Sequence, residues 1–199
     1  MLNIHKFNCA LLFGPPGSGK GLQGKILGDI PGIIHSSMGD VFRNLDKNSP
    51  TGKQFIQYAS TGQLVPCELT IRIWKENIEQ MIQAKKYIPD RDLLLLDGIP
   101  RTVDQAEQLQ DELNVEKIIH LDVPDKQTLI ERISKRNLIE GRADDANPKV
   151  IQNRLEVYKK ETFPVINYYP KKVIQNIDAS LTPAEVLAQI LDALIPLLN

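Results

Sequence analysis

Five short apolar runs alternate with helical patterns along the chain. The runs are CALLFG at 9–14, GIIHSS at 32–37, LLLLD at 93–97, KIIHLDV at 117–123 and KKVIQNID at 171–178. Apolar runs of this length predict buried strands, and the helical segments between them favour parallel pairing, because a helical crossover returns the chain in the same direction. The pattern therefore predicts an α/β fold with a five-stranded parallel sheet and helices on both faces.

Capping residues mark the starts of several helices. Thr102 precedes the pattern VDQAEQLQDEL, and Thr182 with Glu185 has the spacing of a capping box, with proline at the first helical position. Residues 40–84 hold three further helical pieces and do not fit one strand–helix unit. We expect them to form a helical insertion over the carboxyl edge of the sheet.

Composition narrows the classes of partner. The 199 residues carry 24 basic and 25 acidic side chains, for a net charge of −1, so overall charge gives no reason to expect a nucleic-acid or membrane-surface partner. The first residues are too polar for a signal peptide and no apolar run has transmembrane length, so we expect a cytoplasmic protein. Cys9 and Cys67 form neither a metal-ligand pattern nor a disulfide framework.

The stretch GPPGSGKGLQ at 14–23 follows the first predicted strand and opens a helix. In such a loop the backbone N–H groups cradle phosphates, and the lysine, here Lys20, adds a positive charge. The common form places Ser or Thr after the lysine, whereas Gly21 and Leu22 stand here. The candidate phosphate site comprises Gly14, Pro15, Pro16, Gly17, Ser18, Gly19, Lys20, Gly21 and Leu22.

A carboxylate and a set of arginines complete the candidate chemistry. Asp97 ends a buried strand, where it could order Mg²⁺ and its waters, and Arg101 follows a sharp turn back toward the cleft. Six of the eight arginines lie in segments that could border one cleft: Arg43, Arg101, Arg132, Arg136, Arg142 and Arg154. The guanidinium fork suits phosphate oxygens. Any single arginine could instead pair with a carboxylate such as Glu131 or Glu156.

Histidine supplies no catalytic pattern with a Ser or Cys nucleophile. His35 and His120 fall within predicted strands. We expect both to be core residues with satisfied hydrogen bonds rather than ligands.

These motifs together resemble the adenylate kinase family of nucleoside monophosphate kinases, nearly end to end. The matching stretches are GPPGSGKG (14–21), SSMGDVFR (36–43), TGQLVPCELT (61–70), LLLLDGIPRTVDQAEQL (93–109), ERISKR (131–136), GRADD (141–145) and RLEVYKKETFPVINYY (154–169). The resemblance implies a P-loop three-layer fold with a helical insertion that binds the nucleoside monophosphate and a short lid. It implies one domain over 1–199, with a core of 1–35, 66–136 and 146–199, a monophosphate-binding segment 36–65 and a lid 137–145.

The resemblance also assigns roles. The loop at 14–22 with Arg132 and Arg136 would bind ATP, and Arg132 would stack on its adenine. The AMP site would comprise Ser37, Met38, Arg43, Leu64, Val65, Gly98, Arg101 and Gln105. Arg43 and Arg101 would hold the acceptor phosphate and Gln105 the base. Lys20, Arg101, Arg132, Arg142 and Arg154 would be catalytic, and Asp97 and Asp40 would hold Mg²⁺ through water.

The lid and two departures refine this picture. NLIEGRADDANP at 137–148 resembles the short-lid form, so no structural zinc is expected, and Asp144 and Asp145 would pair with arginines or hold the lid closed. Leu22 stands where the family usually has Thr. Met38 also replaces a usual Thr or smaller residue, which leaves the choice of acceptor base open.

The resulting hypothesis is reversible, Mg²⁺-dependent transfer of a phosphoryl group from ATP to AMP, giving two ADP, by a monomer. Two alternatives stay open from the sequence: a short-lid UMP/CMP kinase, and a catalytically weak nucleotide-binding homologue. Gln105 favours adenine over a pyrimidine, because its amide can pair with a purine edge. The intact Lys20, Asp97 and arginine set argue against the weak homologue.

Overall fold

A parallel sheet forms the centre of the protein, in a computed structural model that describes residues 6–198. Its strands are β1 (Phe7–Phe13), β2 (Ile33–Ser37), β3 (Leu93–Asp97), β4 (Leu113–Asp122) and β5 (Ile174–Asp178). They lie in the order β2-β3-β1-β4-β5, and every neighbouring pair is parallel. The predicted five-stranded α/β fold is therefore confirmed. The outer limits of the predicted domain, residues 1 and 199, lie outside the described residues.

Eight α-helices connect and cover these strands within residues 6–198. They are α1 (Lys20–Gly28), α2 (Met38–Arg43), α3 (Pro50–Thr61), α4 (Cys67–Gln83), α5 (Val103–Leu109), α6 (Lys126–Glu140), α7 (Pro148–Val157) and α8 (Pro183–Leu194). The predicted caps are present: the Thr102 side chain accepts from the Gln105 N–H, and Thr182 and Glu185 form a capping box. No helix of the described chain is both long and apolar enough to cross a membrane.

Two apolar cores, one on each face of the sheet, explain why helices cover both sides. Successive residues of β1 alternate between them: Cys9, Leu11 and Phe13 belong to one core, and Ala10 and Leu12 to the other. This alternation follows from the two-residue period of a strand. All five of these side chains are buried, which accounts for the continuous apolar run in the sequence.

The carboxyl ends of the central strands meet at one edge. Ser37 of β2 and Leu12 of β1 are both register partners of Asp97 in β3. Beyond this edge, α2, α3 and α4 form the predicted three-helix insertion between β2 and β3. The fold thus brings the glycine-rich loop, the β3 carboxylate and the insertion to the same edge of the sheet.

Two element boundaries differ from the sequence prediction. β4 begins at Leu113 and is longer than expected, with a register irregularity opposite Cys9 and Ala10. β5 begins only at Ile174, because residues 171–173 form a 3-10 turn after Pro170. The predicted lid also begins inside a helix, since residues 137–140 are the last residues of α6.

Candidate active site

A cavity of about 690 Å³ opens at the carboxyl edge of the sheet. Its walls are the glycine-rich loop, the insertion, the turn after β3 and the facing parts of α6 and α7. All six arginines singled out from the sequence line it: Arg43, Arg101, Arg132, Arg136, Arg142 and Arg154. Basic side chains outnumber acidic ones along the wall, so the cavity suits a polyanionic ligand.

The glycines of the loop are required by the backbone. Gly14, Gly17 and Gly19 all have positive φ angles. A Cβ on Gly14 would lie 2.8 Å from the carbonyl oxygen of Leu121, and a Cβ on Gly17 would lie 2.7 Å from that of Leu129. At Gly19, by contrast, nothing lies within 4 Å of the Cβ position. The loop is therefore packed against neighbouring backbone at Gly14 and Gly17, whereas the space beside Gly19 is open.

Lys20 lies at the start of α1 and folds back over the loop. Its Nζ donates to the carbonyl oxygens of Gly14 (2.6 Å) and Pro15 (3.1 Å). Burial lowers the pKa of Lys20 to about 8, although the charge of Asp97 opposes this shift. When a nucleotide binds, the Lys20 ammonium can exchange these two neutral carbonyls for phosphate oxygens.

Asp97 is buried at the floor of the cavity. Burial by itself raises the pKa of this carboxyl, but the His35 imidazole and the charges of Lys20 and Arg101 outweigh burial and lower the pKa overall. Asp97 is therefore an ionised carboxylate inside a basic cavity, which fits a residue that holds a divalent cation through water.

Asp40 is a less suitable partner for a cation. Its Oδ1 lies 2.5 Å from Nη2 of Arg43, so its charge is already compensated. Among residues 6–198, no group of three or more His, Cys, Asp or Glu side chains lies close enough together to hold a metal ion directly. The donor set fits a hydrated Mg²⁺ carried by nucleotide phosphates better than a cation held by protein ligands alone.

The two strand histidines differ from each other. His120 is satisfied as expected, since Nδ1 lies 2.9 Å from the Asn176 side-chain oxygen and Nε2 lies 3.3 Å from the Tyr158 hydroxyl. The expectation for His35 was wrong: its Nε2 is buried, has no hydrogen-bond partner among residues 6–198, and lies 3.8 Å from Oδ2 of Asp97. The reason is that His35 lies over α1 and reaches the edge of the sheet where Asp97 ends β3.

Arg101 and Gln105 are fixed together on the acceptor side of the cavity. The backbone N–H of Arg101 donates to Oε1 of Gln105 (2.7 Å), and Nε of Arg101 donates to the carbonyl of Gly98 (3.0 Å). With Oε1 engaged, the NH₂ end of the Gln105 amide is the end able to donate to a ligand. Ser37, Leu64, Val65 and Gly98 also line the cavity.

Two candidates from the sequence do not line this cavity. The Met38 side chain is buried in the core on one face of the sheet, with 1% of its surface exposed. Pro15 is likewise absent from the wall and contributes its carbonyl to Lys20. The Met38 side chain therefore does not line the cavity and does not shape it directly.

Lid carboxylates hold two of the arginines. Asp145 accepts from Nε and Nη2 of Arg136 (2.7 and 2.9 Å) and from Nη1 of Arg154 (2.5 Å). Asp144 lies 2.7 Å from the same Nη1. The expected pairing of the two aspartates with arginines is confirmed.

The remaining lid and α6 arginines have other partners. Arg142 donates to Glu140 (2.6 Å), and Arg132 donates to the carbonyl of Ala179 (2.7 Å). Glu131 and Glu156, considered as alternative arginine partners, accept from glutamines on their own helices.

Several residues that line the cavity were not identified from the sequence. Phe42 and Phe55 are stacked with ring centroids 5.1 Å apart, and both line the cavity, as do Thr70, Gly62 and Leu181. No role was assigned to these residues from the sequence. Desolvation and the nearby Asp104 carboxylate raise the pKa of the Cys67 thiol to about 12, which disfavours the reactive thiolate.

The fold and the residues that line the cavity define a general class of protein. A parallel sheet, a glycine-rich loop with its lysine, and a cavity lined by arginines constitute a P-loop protein built to hold phosphates. A model of the adenylate kinase family matches residues 12–174. The chain is 41% identical over 187 residues to the adenylate kinase of Cyanothece sp., covering 90% of this chain and 91% of the relative.

Two further relatives give the same result. The chain is 41% identical to the adenylate kinase of Corynebacterium urealyticum, over 85% of this chain and 89% of the relative. It is 39% identical to that of Mycobacteroides abscessus, over 92% of this chain and 97% of the relative. The chain belongs to the adenylate kinase family.

Proposed function

We propose that the chain transfers the γ-phosphoryl group of ATP reversibly to AMP, giving two molecules of ADP. This proposal rests on one observation: the phosphate loop, Lys20 and six arginines all line the same cavity. Phosphoryl transfer needs in-line placement of donor and acceptor and positive charge around the transferring group, and little covalent chemistry. The basic lining of the cavity supports the second requirement, and the loop and the insertion on its walls offer a side for each nucleotide.

The donor side is the glycine-rich loop with α6. Lys20 exchanges its two carbonyl partners for the outer phosphates of ATP, and Arg136 and Arg132 lie on the same wall. Arg132 is held by the Ala179 carbonyl, at the loop that follows β5. This position suits its proposed contact with the adenine of ATP.

The acceptor side is the turn after β3 together with the insertion. Arg43 and Arg101 hold the phosphate of AMP, and Gln105 donates its amide N–H to an acceptor atom of the adenine ring. Gly98 and the loop containing Leu64 and Val65 complete this wall. The acceptor phosphate is already anionic, so no general base is required.

The arginines between the two sides complete the chemistry. Arg154 and Arg142 neutralise the charge that develops on the transferring group. Asp97, and to a lesser extent Asp40, would hold a hydrated Mg²⁺ through water, and the cation would supply positive charge to the nucleotide phosphates. Segments 36–65 and 137–145 would close over the nucleotides and exclude water, which would otherwise hydrolyse ATP.

The proposal extends to the state of the protein in the cell. The protein would act as a monomer. Both cysteines are free thiols, which suits a reducing cytoplasm. Size-exclusion chromatography with light scattering tests the first point, since a stable dimer would contradict it.

A coupled assay of ADP formation tests the function. ATP with AMP, dAMP, UMP and CMP as acceptors should give the highest kcat/KM with AMP. Activity confined to UMP and CMP would overturn the AMP assignment, and the absence of turnover with every acceptor would indicate a weak homologue. Lys20→Ala and Arg101→Ala should each lower kcat/KM by at least about a hundredfold, and unchanged turnover would refute the site.

A further inference from the structure

The carboxyl end of α3 contacts α7 at one small place. The side-chain amide Nδ2 of Asn153 donates to the carbonyl oxygen of Thr61, at 2.7 Å. Thr61 is the last residue of α3, where carbonyl groups lack partners within the helix. Asn153 therefore caps α3 from a different helix, across 92 positions of the sequence.

Gly62 reinforces this contact. It has a φ of 74°, and a Cβ built on it would lie 3.0 Å from the carbonyl oxygen of Val150 and 3.0 Å from Cγ of Arg154. The backbone at Gly62 is therefore packed directly on α7, against the stem of an arginine of the proposed site. We call the contact made by Thr61 and Gly62 with Val150, Asn153 and Arg154 the α3–α7 contact.

The loop that follows has open space on both sides. Gln63 and Leu64 line the main cavity and also a second cavity of about 440 Å³, which lies between this loop and residues of α7 and the turn after it. Asn153 lies on the wall of the second cavity as well. The α3–α7 contact holds the start of this loop, whereas its end is held by the Thr70 hydroxyl, which donates to the carbonyl of Val65 (3.3 Å).

We propose that Asn153 is a positioning residue for the acceptor nucleotide, a role that rests on the proposed function. By holding the end of α3 on α7, it sets where the first loop residues, Gln63 and Leu64, lie in the wall of the main cavity. It also fixes that wall relative to Arg154, whose side chain packs against Gly62 and lines the same cavity. Asn153 itself does not line the main cavity, so it acts through the loop and not on the substrate.

Kinetics of Asn153 variants test this role. Asn153→Asp keeps the size of the side chain but removes its N–H donors, and Asn153→Ala removes the side chain without adding charge. Both should raise the KM for AMP about fivefold, the effect of one lost hydrogen bond, and leave the KM for ATP within twofold. The kcat should stay near that of the wild type because the reacting groups are untouched, and the melting temperature should fall by no more than about 2–4 °C, the effect of one lost hydrogen bond.

Gln152→Ala is the matched control. Gln152 precedes Asn153 on α7, and its amide bonds only within the helix, to Glu156 at 3.1 Å. This variant should keep the wild-type KM for AMP. Asn153→Gln, which retains an amide donor, should give a smaller rise than Asn153→Asp.

Clear outcomes would overturn the proposal. Asn153 variants that match Gln152→Ala in their KM for AMP would do so, as would equal rises in the KM for both nucleotides with a lower melting temperature. Calorimetric titration of each variant with AMP alone should show the same loss of affinity. Failure of the wild-type protein to phosphorylate AMP would reject the proposed function, whereas normal wild-type activity with unaffected variants would reject only the role of Asn153.

Discussion

Nη1 of Arg154 lies 2.5 Å from Oδ1 of Asp145, and that carboxylate is completely shielded from solvent. The same carboxylate also holds Arg136 through two hydrogen bonds. One buried negative charge therefore fixes two arginines from different helices, α6 and α7. The neighbouring Asp144 contacts Arg154 as well, but 26% of its side chain is exposed and it lines the cavity.

Replacing Asp145 by Asn should destabilise the protein strongly. The change leaves two partly buried guanidinium groups without their shared partner, and breaking a buried ion pair from one side costs about 3–5 kcal/mol. Urea unfolding should show this loss in the free energy of unfolding, and kcat should fall because Arg136 and Arg154 lose their fixed positions.

Asp144→Asn is the matched control for this prediction. It removes one charge from the same arginine at a more exposed position, so it should cost about 1 kcal/mol or less. Equal losses of stability in the two variants would contradict the assignment of Asp145 as the structural partner.

Much of the fold could be predicted because its signals are local. The strand LLLLD is buried at all five positions. Thr102 and Thr182 are the N-caps of α5 and α8, at the helix starts that the sequence predicts. The arginines could be gathered into one cleft because they follow the carboxyl ends of parallel strands or lie on the helices beside them. Local periodicity and spacing were sufficient for these features.

The orientation of single side chains could not be predicted. The pattern places Met38 next to Ser37 at the edge of the cavity, but the first turn of α2 rotates its side chain into the core. His35 lies in a strand like His120, yet its Nε2 finds no hydrogen-bond partner in the described part of the chain, because it faces α1 and Asp97 rather than an amide. Long-range packing decides both cases, and neither leaves a signal in the sequence nearby.

The activity should depend on pH through Lys20. Burial lowers its pKa to about 8, and the protonated ammonium is the form that attracts phosphate. Below pH 8 most of the free enzyme is in this form; above it the protonated fraction falls, approaching tenfold per pH unit. The kcat/KM for ATP should fall on the alkaline side accordingly. In Lys20→Arg, whose guanidinium stays protonated, the alkaline fall should disappear even though the overall rate is lower.

Gln105 should decide the acceptor base through its amide N–H. Gln105→Glu is isosteric and can still accept from the backbone N–H of Arg101, but it presents an oxygen where the ligand meets a donor. The KM for AMP should rise at least about tenfold, since an acceptor of the base then faces a carboxylate. The KM for ATP should stay within twofold.

Gln108→Glu on the same helix is the comparison for that variant. Gln108 is exposed and lies outside the cavity, so its replacement should leave both KM values near those of the wild type. A similar rise in the KM for AMP in both variants would indicate a general effect of charge on α5 and not a contact with the base.

Leu22 is the most unusual residue of the phosphate loop, and replacing it should improve the site. It lies in the first turn of α1, 51% of its surface is exposed, and it lines the cavity. Leu22→Thr places a hydroxyl where the loop otherwise offers only backbone donors. A hydrogen bond to a charged phosphate contributes about 1.5 kcal/mol, so the Kd for ATP should fall roughly tenfold.

The cost of this change is small, because Thr in place of an exposed helical Leu loses about 0.5 kcal/mol of helix stability. Ile26→Thr, one turn further along α1 and outside the cavity, carries the same cost without a phosphate contact. Calorimetric titration with ATP should therefore separate the two variants, with tighter binding in Leu22→Thr alone. An unchanged Kd in Leu22→Thr would mean that the backbone donors and Lys20 already satisfy the phosphates, and that Leu22 carries no penalty for nucleotide binding.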